Sequence, residues 1–201
     1  MMNVNRLIPG TTLKFSEAAR KEAFSMIEPV LEATGGLTLS QLSTLTGLEG
    51  TTIQNWIKRG WVAATKGKKY SEKQVLRILL INMLRGSMKL EEIARLMEYI
   101  NGDVEDTSDD IIDDKQLYNI LCRINFTAED EGAFAPEPLR KLISRELGDC
   151  TKEVRANEEK LLKAIFVMAT GCRIAYLKSE MDKTLAVIHK ESLDAGGDKN
   201  K

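Results

Sequence analysis

The chain has 201 residues, 43% of them hydrophobic and 29% charged, and carries a net charge of -1. That is the composition of an ordinary globular protein, with enough length for a real core in one domain or in a small head plus a second helical part. It excludes a generic basic coat, so any affinity for nucleic acid has to come from local charge.

Targeting and redox signals are few. The N-terminal run MMNVNRLIPGTT lacks the apolar core of a secretory signal. The longest apolar stretch, residues 161–177, is broken by Lys163 and Arg173 and is too short and too charged to span a bilayer. Cys122, Cys150 and Cys172 are widely spaced and odd in number, the usage expected of free thiols in a reducing cytoplasm. With no close cysteine pair and His189 as the one histidine, no metal site is expected, and no cofactor either.

In chain order, residues 16–33 are expected to form a first helix, with Phe24, Ile27, Val30 and Leu31 on its apolar side. Thr38 can cap a second helix carrying Leu39, Leu42 and Leu45, and Gly47 supplies the left-handed residue that ends it. A third helix follows over residues 51–59, with Ile53, Trp56 and Ile57 inward and Gly60 as its stop. Two short helices joined by a tight turn make a helix-turn-helix. The outward side of the second then carries Thr51, Thr52, Gln54, Asn55, Lys58 and Arg59. Asn and Gln can pair with an adenine edge and Arg with guanine, while Lys and Thr suit phosphates. Trp56, three residues after Ile53, is expected in the core rather than stacked on a base.

Next, residues 63–70 place Gly67 among Lys66, Lys68 and Lys69, which fits a short wing hairpin with a cationic tip beside a phosphate strand. Tyr70 could either pack beneath that wing or bond a phosphate. Ser71 and Gln74 form a capping box that opens a helix over residues 72–85, and a further helix over 90–100 closes the head. Between residues 51 and 89 nine Lys or Arg face the single acid Glu72, a local charge of +8.

The stretch 103–114, DVEDTSDDIIDD, reverses the sign with seven acids. Ser108 and Asp114 stand where a calcium loop requires Gly and Glu, so a solvated linker that caps the next helix is the expectation. An alternative is that it folds back onto the basic face. Beyond it, Leu117, Ile120, Leu121 and Ile124 mark one helix, Pro136 and Pro138 open another, and a long helix is expected over residues 152–191. In the last, the apolar stripe shifts from Leu161, Ile165, Met168 and Cys172 to Leu177, Met181, Leu185 and Ile188. Two heptads suit helix packing within the chain or across a dimer.

The head resembles the DNA-binding head of MerR-type regulators through Leu39-Ser40-Gln41-Leu42, Thr46-Gly47, Thr52-Ile53-Gln54, Trp56, Lys58-Arg59-Gly60, Tyr70-Ser71-Glu72 and Leu90-Glu91-Glu92-Ile93. Gln54 stands where that family usually has Arg and Asn55 where it often has Tyr, so those phosphate contacts do not carry over. The strings NWIKRGWV, KKYSEKQVLRILLINMLR, EYINGDVED, SDDIID and LYNILCRI resemble the bacterial family known as domain of unknown function 1836, over roughly residues 37–124. That resemblance implies a MerR-like head followed by a helical remainder of unassigned role.

The expected fold is therefore all-α with a small wing hairpin. It divides into an N-terminal helical segment (1–36), a winged helix-turn-helix domain (37–102), an acidic linker (103–114), a helical C-terminal region for dimerisation or effector binding (115–194) and a disordered tail (195–201). The expected partner is double-stranded DNA, bound by a homodimer on the usual two-fold symmetry of such regulators. No membrane partner is expected, and the sequence specifies no small-molecule effector. No Gly-rich phosphate loop or nucleophile–base spacing is present, so no enzyme is expected. The competing class is a helical interaction module whose helix-turn-helix docks a protein. The candidate DNA-binding residues are Thr51, Thr52, Gln54, Asn55, Lys58, Arg59, Lys66, Lys68, Lys69 and Tyr70.

Overall fold

In the computed structural model, which describes residues 6–65, 67–102 and 110–197, the N-terminal region is helical but not continuous. Ser16 caps α1 (Glu17–Lys21), a 3-10 turn follows at Ala23–Met26, and α2 (Glu28–Thr34) completes the segment. The single helix expected over 16–33 is thus broken, for two local reasons. Glu22 leaves helical geometry at φ -139° and ψ 89°, and Pro29, having no N–H, fits only in a first turn, so the helix restarts just before it. The break lets Phe24 turn fully inward, where its backbone N–H donates to Asn119 Oδ1 at 3.0 Å.

After β1 (Leu37–Thr38) the two short helices expected there are α3 (Leu39–Thr46) and α4 (Gly50–Lys58). Thr38 Oγ1 accepts from the Gln41 N–H, while Gln41 Oε1 accepts from the Thr38 N–H at 2.9 Å, a reciprocal cap. Gly47 and Gly60 end the two helices in the left-handed region, at φ 70° and 75°. Then β2 (Lys69–Tyr70) leads into α5 (Glu72–Leu84), where Gln74 Oε1 accepts from the Ser71 N–H at 2.8 Å, and α6 (Leu90–Asn101) follows.

The strand pairing differs from the expected wing. Instead of a local hairpin within residues 63–70, β2 pairs antiparallel with β1, matching Leu37 with Tyr70 and Thr38 with Lys69. The physical reason is partly Gly36. At φ 117° it lies so close to β2 that a Cβ would sit 2.6 Å from the Tyr70 carbonyl oxygen, so this approach needs glycine. Residues 61–65 and 67–68 are irregular, and the first of these stretches is held by buried Val62 and by Gln74 Nε2 donating to the Ala63 carbonyl at 2.9 Å.

The remainder comprises α7 (Asp114–Glu131), α8 (Pro136–Gly148), α9 (Lys152–Ala156) and α10 (Glu158–Gly197). The long helix expected from residue 152 is interrupted at Asn157, which takes φ -111° and ψ 19° and separates α9 from α10. One apolar core runs through the described residues from Ile8 to Cys172, with α5 and α7 at its centre and α10 laid across α5, α6, α7 and α8. At one end of it, Arg6 packs between the rings of Phe15 and Phe126 and pairs with Glu129 and Asp130, which fastens the N-terminal segment to the end of α7. Asn82 of α5 donates to the carbonyls of Gly10 at 2.8 Å and Thr46 at 2.9 Å, joining that segment and α3 to the central helix. Among the described residues, no helix is long and apolar enough to cross a membrane.

Candidate nucleic-acid interface

The face of α4 follows from its residue pattern. Ile53 is fully buried and Trp56 is 2% exposed, so the helix is anchored by one side and Trp56 is a core residue. Thr51, Gln54, Asn55, Lys58 and Arg59 are exposed and Thr52 is half-buried. All but Arg59 lie on the solvent-facing side of a nine-residue helix, and Arg59 caps its end. Short hydrogen-bonding side chains stand toward its start and two cations at its end.

Around this stripe the cations are arranged unevenly. Lys68 and Lys69 are exposed on the strand side, and the Lys69 ammonium donates to the Thr34 carbonyl. Lys66 lies outside the described residues. Tyr70 is 6% exposed, and burial raises its hydroxyl pKa above the usual value, so it packs beneath the two-stranded sheet and not on the exposed stripe. Arg59 stacks over the Trp61 ring at 5.1 Å and meets Glu91 at 3.6 Å, a pair exposed on both sides and therefore weak.

Not every base between residues 51 and 89 belongs to this surface. Arg77 is 6% exposed and sits inside the body, with its Nε 3.0 Å from Asp114 Oδ2. Asp114, read from the sequence as part of a solvated acidic run, is likewise buried at 8% exposure. Burial pushes its carboxyl above the ordinary 3.8, outweighing the pull of Arg77 and Lys73. Its neighbour Asp113 does cap α7, accepting from the Gln116 N–H at 2.8 Å, as the acidic stretch implied. Residues 103–109, which carry four of the seven acids of that stretch, lie outside the described residues.

Sequence reasoning missed a cleft of about 300 Å³ beside the end of α4. Arg59, Trp61 and Arg95 stand at its polar rim and Ile81 and Met97 at its apolar side. Arg95 is exposed on α6 and adds a further cation next to Arg59. The charge count that ended at Lys89 passed it over; the helical spacing of α6, with Ile93 and Met97 inward, would have placed it outside. The three cysteines are unpaired, and burial pushes the Cys172 thiol up to about 12 and the Cys122 thiol also well above its ordinary value. Neither is positioned to serve as a nucleophile. Among the described residues, no three side chains of metal-ligating type come together.

Comparison with known proteins adds a family and one relative. The family described as Domain of unknown function (DUF1836) matches residues 26–121, which takes in α3 to α6 and the first part of α7. The chain is also similar to the uncharacterized protein YkrK of Bacillus subtilis (strain 168), at 35% identity over 78 residues, or 37% of this chain. It spans about a third of that relative, 34% of its length. No solved structure matches the chain. Residues 26–121 are thus similar to a family of unknown function.

Proposed function

We propose that the chain is a sequence-specific DNA-binding regulator of transcription that inserts α4 into the major groove. In this reading Gln54 and Asn55 reach base edges, with Thr51 and Thr52 at the groove entrance. Lys58 and Arg59 bind phosphates on one side of the groove, and Lys68 and Lys69, at the start of β2, approach the other strand. The observation that carries the reading is the two-sided character of α4, locked by Ile53 and Trp56 and exposing an unbroken polar and cationic stripe. The MerR-like residue pattern of the head supports the same docking. Its two departures, Gln54 and Asn55, point to adenine-containing sites, since both amides suit the adenine major-groove edge.

Arg95 belongs to this reading as an added phosphate ligand, because it flanks Arg59 across the cleft. Tyr70 does not, because its side chain is enclosed. The test is selection of bound duplexes from a random pool. Enrichment of a defined sequence, lost when Gln54 and Asn55 are replaced by Ala, is the expected result. Absence of enrichment overturns the reading in favour of a helix-turn-helix that docks a protein.

A further inference from the structure

Helix α10 is built with two apolar faces, and the body covers one of them. Leu161, Ile165, Met168 and Cys172 are buried and seat the first half of the helix on the core. After Ala175 the helix leaves the body, and from residue 176 to residue 192 every side chain is exposed. Those 17 positions extend for roughly 25 Å at 1.5 Å per residue.

An apolar stripe nevertheless runs along it and back over the outer side of the seated half. Val167, Ile174, Leu177, Met181, Leu185 and Ile188 are 42%, 50%, 51%, 54%, 42% and 49% exposed. At about 100° per residue these six fall within about 80° of arc. Four of them, Val167, Ile174, Met181 and Ile188, recur every seven residues, the period of a helix seam that faces another helix. The buried residues of the first half lie about 140–180° away around the axis. The exposed stripe is therefore a second face and not a frayed continuation of the first. A solitary projecting helix of this length is marginal in water, and apolar patches of this kind mark contact surfaces.

We propose that a second copy of this chain covers this stripe, so that the protein is a homodimer joined through α10. Two features on the helix select that occupant. The first is charge. Between residues 176 and 192, Lys178, Lys183 and Lys190 balance Glu180, Asp182 and Glu191. A neutral segment offers nothing to nucleic acid or to an anionic membrane, whose surface helices are rich in Lys and Arg. Both edges of the stripe carry mixed signs, with Arg173 and Glu180 on one side and Lys178 and Asp182 on the other. Two copies can therefore meet without like-charge repulsion. The second feature is area. Six half-exposed apolar side chains offer on the order of 500 Å² per copy, so two facing stripes bury about 1,000 Å² in total, the threshold of a specific interface. The inference does not depend on DNA binding, and its test contains no DNA.

The experiment is sedimentation equilibrium of the full chain from about 1 to 100 µM, beside the variant Met181→Glu/Ile188→Glu. Both substitutions lie on exposed positions, so thermal unfolding of the body should be unchanged and any loss of helical signal confined to the projecting end of α10. The expected result is a wild-type dimer and a dissociation constant raised at least about a hundredfold in the variant, since two carboxylates would face an apolar seam. Lys190→Ala, on the opposite side of the helix, should leave the dimer intact. A wild-type monomer across the whole range overturns the proposal, whether or not it floats with anionic vesicles, which would name a membrane as the occupant. A variant that dimerises as well as the wild type overturns the assignment to this face.

Discussion

Gly36 and Gly67 make opposite predictions for the two ways in which the basic connection could be built. A local hairpin over residues 63–70 would place the conformational demand on Gly67 at its tip. The observed pairing of β1 with β2 places it on Gly36. An Ala at position 36 would hold its Cβ 2.6 Å from the Tyr70 carbonyl oxygen, at a backbone φ of 117°. Neither the carbonyl, fixed in the sheet, nor the dihedral can relax without breaking the Leu37 to Tyr70 pairing. Strain at such a dihedral costs about 1–3 kcal/mol, and the clash adds to it, so Gly36→Ala should lose about 2–4 kcal/mol. At position 67 a Cβ meets nothing within 4 Å. Gly67→Ala should therefore be neutral or gain up to about 1 kcal/mol through the unfolded chain. Urea unfolding of the two variants measures both numbers, and thermal unfolding should follow with a fall of about 4–16 °C for Gly36→Ala alone. If Gly67→Ala is the damaging substitution and Gly36→Ala costs less than about 0.5 kcal/mol, the strand assignment is wrong.

Three further outcomes follow from burial. Because the Asp114 carboxyl is pushed up in the folded state, folding favours its protonated form. Stability is then greatest below the unfolded value and falls as pH rises through the folded one, so Asp114→Asn should match the wild type in acid and equal or exceed it at pH 7; equilibrium unfolding across that range would reject this if the Asn variant became the weaker one as pH rose. Trp56→Ala should cost about 3–5 kcal/mol in urea unfolding, whereas Trp56→Phe should keep duplex affinity, and a loss of affinity without loss of stability would mean that Trp56 touches DNA. In the native chain an aromatic disulfide reagent should label half-buried Cys150 before all else, with Cys122 and Cys172 reacting only as the protein unfolds; rapid labelling of three thiols would show that the core is open.

What the sequence made legible was the local chemistry. Thr38 with Gln41, Ser71 with Gln74, Asp113 and the glycines at 47 and 60 mark element ends through contacts within four residues. The spacing of Ile53 and Trp56 likewise distinguished the inner from the outer side of α4. What escaped depended on distant partners. The pairing of β2 with β1 joins segments more than thirty residues apart, and nothing near Gly67 reveals it. Arg77 reads as a surface cation until α7 brings Asp114 to it. Tyr70 is enclosed because the sheet that contains it packs on the core. The break before α2 was readable in principle, since Pro29 was visible, but the apolar rhythm of Phe24, Ile27 and Leu31 masked it. In α10 the shift of the stripe is visible as a pattern, whereas the end of the body at Ala175 depends on packing against distant helices.

DNA binding by this head requires that the stripe of α4 and its flanking lysines meet phosphates. The most direct measurement is the salt dependence of binding to a selected duplex, for the wild type and for Lys58→Ala/Arg59→Ala/Lys68→Ala/Lys69→Ala. Four phosphate contacts per head give a slope of log affinity on log salt of about -3.6, doubled if two heads bind together. A steep slope is expected for the wild type, with loss of the duplex complex by a variant that unfolds at the same temperature. Binding that ignores salt, or a variant that binds as the wild type does, would contradict that expectation.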